Sequence, residues 1–140
     1  MHKHLIGLAV ALSFSFAGSA FAADAMSREA YKDAKDKIEE QAKVGKRACQ
    51  GMKANAKDIC QAEAKAREKI AKAELDAKNK PGAAADDKVK RMKAEGEYEI
   101  AKEKCEDQKG TAAAACKKDA KAAHDKVVSE IRKADTKKKS

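Results

Sequence analysis

Large apolar side chains are scarce in this chain after its first 22 residues. From Ala23 onward, the sequence contains 27 Ala but only ten Leu, Ile, Val or Phe among 118 residues. This share, about 8%, is far below the roughly 20% that separates ordinary globular domains from disordered chains. A large core of interlocking side chains is therefore excluded, and so is an enclosed apolar pocket of the usual size for a small-molecule site.

The start of the chain has the pattern of a secretory signal peptide. An apolar run at residues 5–16 follows a short basic segment and leads to the tripeptide AFA at residues 20–22, which is an A-x-A cleavage site. Because the run is shorter than the roughly 20 residues that span a bilayer, we expect cleavage between Ala22 and Ala23. Residues 1–22 are thus predicted as a signal peptide, with export to the periplasm or the medium and no transmembrane helix after cleavage.

The composition after this segment favours helices. Ala, Lys, Glu, Asp and Arg dominate, and an acid repeatedly precedes a base by four residues, as in Glu68–Lys72. No alternating run of β-branched or aromatic residues indicates a strand. The only proline, Pro81, is followed by a glycine, which predicts a helix end there. Asp86 and Asp87 suit the N-terminus of the next helix.

The two sides of Pro81 resemble each other at a shift of 56 residues. The shift places Cys49 on Cys105 and Cys60 on Cys116, together with several Lys and Ala. A repeated spacing of this kind indicates an internal duplication. The predicted organisation is helical repeat 1 at residues 23–80, a turn at 81–85, helical repeat 2 at 86–135 and a basic tail at 136–140.

Four cysteines in an exported chain with little core predict disulfide bonds rather than free thiols. In one unbroken helix, Cys49 and Cys60 would lie about 16 Å apart along the axis. A disulfide spans only roughly 4–7 Å between Cα atoms. Continuous helices would therefore require pairing across the central turn, Cys49 with Cys116 and Cys60 with Cys105, in one long helical hairpin.

A second arrangement pairs each cysteine with its neighbour in the chain. Asn55 is a favourable helix N-cap residue, and Gly110 with Thr111 combines a helix stop with an N-cap at the matching position. The bonds Cys49–Cys60 and Cys105–Cys116 would then each close a short hairpin, with turns at 54–55 and 110–111. The repeated cap signals favour this local pairing, and both pairings stay open at this point.

The cysteines are expected to be structural in either arrangement. A redox role would normally use a C-x-x-C motif, which the sequence lacks. Cys105, Cys116 and His124 are an alternative set of zinc ligands, although structural zinc sites usually contain cysteines two to four residues apart. We therefore expect no cofactor and keep a metal or redox module as the third functional hypothesis.

No set of catalytic residues can be assembled from the sequence. His124 is the only histidine after residue 22, and no metalloprotease, serine-hydrolase or phosphate-loop motif occurs. Glu95, Glu99 and Glu103 recur at intervals of four residues without the ligand spacing of a calcium-binding loop. We expect this acidic row to be a solvated face that meets basic residues such as Lys65, Lys69 and Lys72, or Lys117, Lys118 and Lys121. We predict that the protein is not an enzyme.

The formal net charge of +9 suggests an anionic partner. The basic residues are interleaved with acids, except in the run Lys137, Lys138 and Lys139. Nucleic-acid-binding proteins usually cluster their basic residues and add aromatic ones for stacking, whereas Tyr31 and Tyr98 are the only aromatic residues after residue 22. The expected contact is with an anionic envelope component rather than with nucleic acid.

The segment AKDICQAEAK at residues 56–65 is typical of the composition of residues 27–135. In this composition the chain resembles the periplasmic stalk of the TolA cell-envelope family. As a whole it is similar to small secreted proteobacterial proteins that combine a Sec signal with cysteine-punctuated Ala/Lys repeats. The resemblance implies slender helices in the cell envelope and transfers no functional residues.

These patterns predict an all-α fold, with elongated antiparallel hairpins or a thin helical bundle held by two disulfides. The leading functional hypothesis is a non-enzymatic periplasmic protein with a structural, stress-related or interaction role. Its partner would be an unidentified protein, an anionic envelope component or a second copy of the chain. The second hypothesis is a module that binds a polyanion or a membrane surface through its Lys-rich helix faces.

Overall fold

Four helices joined by short turns form the protein in a computed structural model, which describes residues 26–139 and the side chains through residue 137. The helices are α1 (Arg28–Ala48), α2 (Ala54–Asn79), α3 (Ala83–Cys105) and α4 (Gly110–Lys139), with a 3-10 turn at Cys49–Gly51. No strand occurs within this part of the chain, so the prediction of an all-α fold is confirmed. The predicted signal peptide and its cleavage site lie outside the described residues.

The two disulfides join neighbouring cysteines. Cys49–Cys60 links the end of α1 to α2, and Cys105–Cys116 links the end of α3 to α4, with Cα–Cα distances of 5.6 and 5.7 Å. The structure thus has the local pairing and not the pairing across Pro81.

The central hairpin of the rejected arrangement is nevertheless present. α2 and α3 run antiparallel on either side of Pro81, and close backbone contacts join them. Near the far end of this hairpin, the Asn55 side-chain amide donates a hydrogen bond of 2.7 Å to the carbonyl oxygen of Glu103. Both disulfides therefore lie at the same end of the molecule, opposite the Pro81 turn.

Each helix packs only against its neighbours in the chain. Over residues 26–139, close backbone contacts join α1 to α2, α2 to α3 and α3 to α4, but no other pair of helices. α2 contacts α1 through Ala64 and α3 through Ala66, and helical geometry directs two such residues to nearly opposite sides. The helices therefore lie side by side in a single layer, with α1 and α4 at its two edges.

Small residues make the contacts within this layer. The buried apolar residues are Ala42, Cys49, Ala64, Ala66, Ala73, Leu75, Ala94, Cys105 and Ile131. A Cβ atom at Gly96 would lie only 2.8 Å from the Cβ of Ala66, so the close approach of α3 to α2 requires a glycine there. Slender helices that approach closely through Ala and Gly thus take the place of a core of large side chains.

α2 begins at Ala54, with Lys53 in the N-cap position. The prediction that Asn55 caps this helix is therefore wrong. Asn55 lies in the first turn, and its side chain bonds to α3 instead. Here a contact between helices outweighs the intrinsic preference of asparagine for the N-cap.

α3 and α4 are longer than the sequence predicts. α3 begins at Ala83, three residues before Asp86, because the alanines that follow Gly82 are strong helix formers. α4 begins at Gly110, so Thr111 lies within its first turn rather than at its N-cap. The helix continues to Lys139, and the predicted basic tail at 136–140 is therefore helical up to that residue.

Ala54 and Gly110 open α2 and α4 in the same uncommon backbone conformation. Their φ angles are +50° and +58°. A residue with a Cβ is strained in this left-handed region by roughly 1–2 kcal/mol, whereas glycine adopts it freely. The two positions are 56 residues apart, which is the shift that aligns the cysteines.

Candidate functional surfaces

The cysteines form no thiol or metal site. Cys49 and Cys105 are fully buried, and all four cysteines are in disulfides. Cys105 and Cys116 are bonded to each other, so the structure does not bring them together with His124 as a ligand set. Within residues 26–139, no group of His, Cys, Asp and Glu side chains is arranged to hold a metal ion.

A network of four charged side chains joins α1 to α2. Lys46 Nζ lies 2.7 Å from Glu68 Oε2, while Lys72 Nζ lies 2.9 Å from Glu68 Oε1 and 3.3 Å from Glu39 Oε1. Hydrogen bonds from Lys46 and Lys72 lower the pKa of Glu68, and the bond to Glu68 raises the pKa of Lys72. Glu68 and Lys72 are therefore stabilised in their charged forms, as expected of a contact that holds two helices together.

A second polar contact ties three helices together near the Pro81 turn. The Tyr31 hydroxyl of α1 donates to Asp76 Oδ1 of α2 at 2.6 Å, and Lys88 Nζ of α3 lies 2.6 Å from Asp76 Oδ2. The hydrogen bond from Lys88, followed by that from Tyr31, lowers the pKa of Asp76, and the bond to Asp76 raises the pKa of Tyr31. The arrangement stabilises an ionised Asp76 beneath a neutral tyrosine.

The acidic row of α3 borders a groove of about 470 Å³ between α2 and α3. Glu95, Glu99 and Glu103 line one wall, and Lys65 and Lys69 line the other. Lys69 Nζ lies 2.7 Å from Glu95 Oε1, so the predicted contact with a basic residue is present at Glu95, whereas Glu99 pairs with Lys102 of its own helix. Two other predicted partners pair elsewhere, Lys72 with Glu68 and Glu39, and Lys117 with Glu106. The groove is shallow and carries charges of both signs, which suits a solvated helix contact rather than a substrate pocket.

Aromatic rings take part in the contact between α3 and α4. The rings of Tyr98 and His124 have centroids 5.3 Å apart, and Lys102 Nζ lies 4.9 Å from the Tyr98 ring centre. His124 Nδ1 also lies 3.2 Å from Asp125 Oδ1, and Asp125 accepts a bond of 2.5 Å from Lys121. His124 is thus packed into a contact between helices, next to no side chain that it would activate as a nucleophile.

Positive charge is concentrated on α4. This helix has nine Lys and Arg against four Asp and Glu, a net charge of +5. α3 has six of each and is neutral, while α1 has seven bases against five acids, a net charge of +2. The sequence contains this asymmetry, but it becomes visible only when charge is summed over the helices as the structure bounds them.

The two edge helices differ most on the sides that face away from the layer. We define the outer stripe of each helix as the exposed residues opposite its packed neighbour, following a period of 3.6 residues. The outer stripe of α4 is Lys118, Ala122, Lys126, Ser129 and Lys133. The outer stripe of α1 is Asp33, Lys37, Glu40, Val44 and Arg47. Thus the outer stripe of α4 contains lysines and no acid, with exposed Asp119 and Glu130 beside it, whereas the outer stripe of α1 contains charges of both signs.

Lys137 is exposed near the end of α4, whereas the side chains of Lys138 and Lys139 lie outside the described part of the chain.

No known protein family model, curated protein or solved structure matches this chain. A search of residues 26–139 for helices that could cross a bilayer finds none of sufficient length and apolarity. Function is therefore inferred from the surfaces described above.

Proposed function

We propose that the mature protein is a non-enzymatic helical module of the periplasm or the medium that acts by binding a partner through its surface. The single layer of helices supports this proposal. A layer leaves two broad faces and two edges open to contact, and the groove between α2 and α3 is lined by charged residues. Such a shape offers much surface for its size and little enclosed volume for chemistry.

The disulfides support the proposed location. A layer with so few large apolar residues gains little from burial, and each disulfide is expected to contribute about 2–4 kcal/mol. Bonds of this kind persist in oxidising compartments such as the periplasm. Together with the signal pattern at residues 1–22, they favour an exported protein.

We further propose that the two disulfide hairpins arose by duplication of one unit. The sequence separation between bonded cysteines is 11 in both, and the Cα–Cα distances differ by only 0.1 Å, at 5.6 and 5.7 Å. The first residue after each turn, Ala54 or Gly110, also has a positive φ. A shared backbone conformation at a matched position is stronger support than the Ala and Lys identities alone.

Cell fractionation and cross-linking test the proposed function. We expect the full chain, expressed in a Gram-negative host, to lose residues 1–22, to collect in the periplasm and to show no free thiols on titration. Amine-reactive cross-linking in intact cells should then yield a discrete adduct. A cytoplasmic protein with four free thiols would contradict the location. The absence of any adduct, together with the absence of the protein from the membrane fraction, would contradict the binding role.

A further inference from the structure

The outer stripe of α4 is a row of regularly spaced ammonium groups. A helix rises 1.5 Å per residue, so Lys118, Lys126 and Lys133 follow one another at intervals of about 12 and 10 Å. All three side chains are exposed. Among the ion pairs found in the described part of the chain, none involves these lysines. They are therefore available to an external anion.

Two of the four acids on α4 are already engaged by bases. Asp125 accepts from Lys121, and Asp135 lies 3.6 Å from Arg91 of α3. The Arg91–Asp135 pair lies at the α3 contact, whereas Lys121 and Asp125 are both exposed. The other two acids, Asp119 and Glu130, are exposed and flank the outer stripe. The field on the outer side of α4 is consequently the sum of the stripe lysines, exposed Arg132 and Lys137, and the exposed acids Asp119 and Glu130. Five bases against two acids leave this side with a net positive charge.

These observations point to one kind of partner. We propose that α4 lies along an anionic lipid surface and that its outer stripe binds the phosphate headgroups, with α1 turned away from the membrane. The inference rests on the proposed function and names the partner of one edge. A straight row about 22 Å long, from Lys118 to Lys133, suits a flat array of phosphates, which each lysine contacts without bending the helix.

The residues between the lysines define how deep the helix binds. Ala122 and Ser129 are the other members of the stripe, so it contains no large apolar side chain to enter the hydrocarbon region. It also lacks an aromatic ring on which a base would stack, which disfavours a single-stranded nucleic acid. Binding at the level of the headgroups, driven by charge and weakened by salt, is the expected mode.

Vesicle co-sedimentation with charge-matched variants tests the inference. The full mature chain is mixed with vesicles of phosphatidylcholine alone or with about one-third phosphatidylglycerol. Salt is raised from about 10 mM to about 150 mM, over which the Debye length falls from roughly 30 Å to 8 Å. We expect binding only to the anionic vesicles, with affinity falling as salt rises.

The decisive variant combines Lys118→Gln, Lys126→Gln and Lys133→Gln. Each lysine at an anionic surface strengthens binding roughly fivefold, so the triple change should weaken binding on the order of 100-fold. The control combines Lys32→Gln, Lys37→Gln and Lys43→Gln, three exposed residues of α1, and removes the same charge from the other edge. We expect this control to weaken binding less than about fivefold, because α1 is turned away.

Four outcomes would overturn the inference. The first is an equal loss of vesicle binding in the two triple variants, and the second is a loss of binding only when Lys137, Lys138 and Lys139 are replaced. The third is no binding to anionic vesicles at low salt, and the fourth is tighter binding to single-stranded DNA than to vesicles. Circular dichroism at 222 nm verifies that every variant is folded. If vesicle binding fails while the cross-linked adduct in intact cells persists, the lipid surface is excluded and the proposed function stands.

Discussion

The α1–α2 and α3–α4 hairpins have the same framework but are held together differently. Each has two antiparallel helices and a disulfide across a sequence separation of 11. The α1–α2 contact contains the ion-pair network around Glu68 and the bond from Tyr31 to Asp76. The α3–α4 contact contains the ring pair of Tyr98 and His124 and the ion pair Arg91–Asp135. The difference shows that the disulfide and the turn set the geometry, while the chemistry of the helix contact is free to vary.

The same comparison separates the two edges in surface charge. α1 is close to neutral and presents alternating charges outward, whereas α4 is strongly basic and presents a row of lysines. Under the proposed duplication, one hairpin would have kept the original contact while the other acquired the proposed binding surface. Four measurements would break or sharpen the comparison.

Removal of either disulfide should have the largest effect. We expect the double variant Cys49→Ala/Cys60→Ala to lower the free energy of unfolding by about 3 kcal/mol. The double variant Cys105→Ala/Cys116→Ala should lower it by a similar amount, because the two closed loops are equally long. Urea unfolding followed by circular dichroism measures both. A difference beyond about 1 kcal/mol would show that the two frameworks are not equivalent.

Glycine-to-alanine changes at two helix contacts should have opposite effects on stability. At Gly96 a Cβ would lie 2.8 Å from the Cβ of Ala66, so Gly96→Ala forces α2 and α3 apart and should cost about 1–3 kcal/mol.

Gly45→Ala is the matched control within α1. Its Cβ would lie 3.6 Å from that of Ala64, an ordinary contact, so the gain in helix propensity should stabilise the protein by up to about 1 kcal/mol. Thermal unfolding of both variants provides the measurement. Stabilisation by Gly96→Ala would mean that the α2–α3 contact is looser than the structure has it.

Reciprocal changes at the turns test the shared backbone conformation. Ala54→Gly should stabilise the protein by up to about 1 kcal/mol, since glycine removes the strain of a positive φ. Gly110→Ala should destabilise it by roughly 1–2 kcal/mol for the same reason. Denaturant midpoints measure both, and changes of the same sign would contradict a common turn geometry.

The smallest effect is expected from the ion-pair network, and it depends on pH. The pKa of Glu68 is lowered in the folded state, so its stabilising contribution is present above the ordinary value of 4.5 and is lost as the pH falls through the folded-state pKa. Glu68→Gln should therefore cost about 0.5–1 kcal/mol at pH 7, and this cost should disappear in acid.

Glu130→Gln is the control for this pH dependence, because Glu130 is an exposed acid of α4. It should change the free energy of unfolding by less than about 0.5 kcal/mol, since exposed charges contribute little. Unfolding curves at several pH values measure the difference between the two variants. A cost of Glu68→Gln that persisted in acid would mean that the side chain acts through packing rather than charge.

The helical fold and the hairpin register follow from patterns in the sequence. The central turn at Pro81 and the local disulfides are both present, although sequence reasoning treated them as parts of competing arrangements. They coexist because a short hairpin at each disulfide and a longer one at Pro81 share α2 and α3. The helix break after Cys105 was signalled by Gly110, which opens α4 in the left-handed conformation that glycine favours.

No pattern in the sequence predicts the single layer of helices or the positive φ angle of Ala54. α2 carries alanines on opposite sides, Ala64 towards α1 and Ala66 towards α3, so its sequence marks no single apolar stripe from which to predict partners. Alanine is also unfavourable at a positive φ, and the residues around Ala54 do not indicate that it adopts this conformation. The basic outer stripe of α4 became recognisable only once its packed side was known.

The serial order of the helices bears on how the chain is made. Because each helix contacts only its neighbours in sequence, no helix has to wait for a segment far along the chain. A polypeptide that emerges with its N-terminus first can complete the α1–α2 hairpin and oxidise Cys49 with Cys60 while Cys105 is still unexposed. Such a molecule is suited to vectorial folding, one hairpin at a time, with little opportunity for a wrong disulfide.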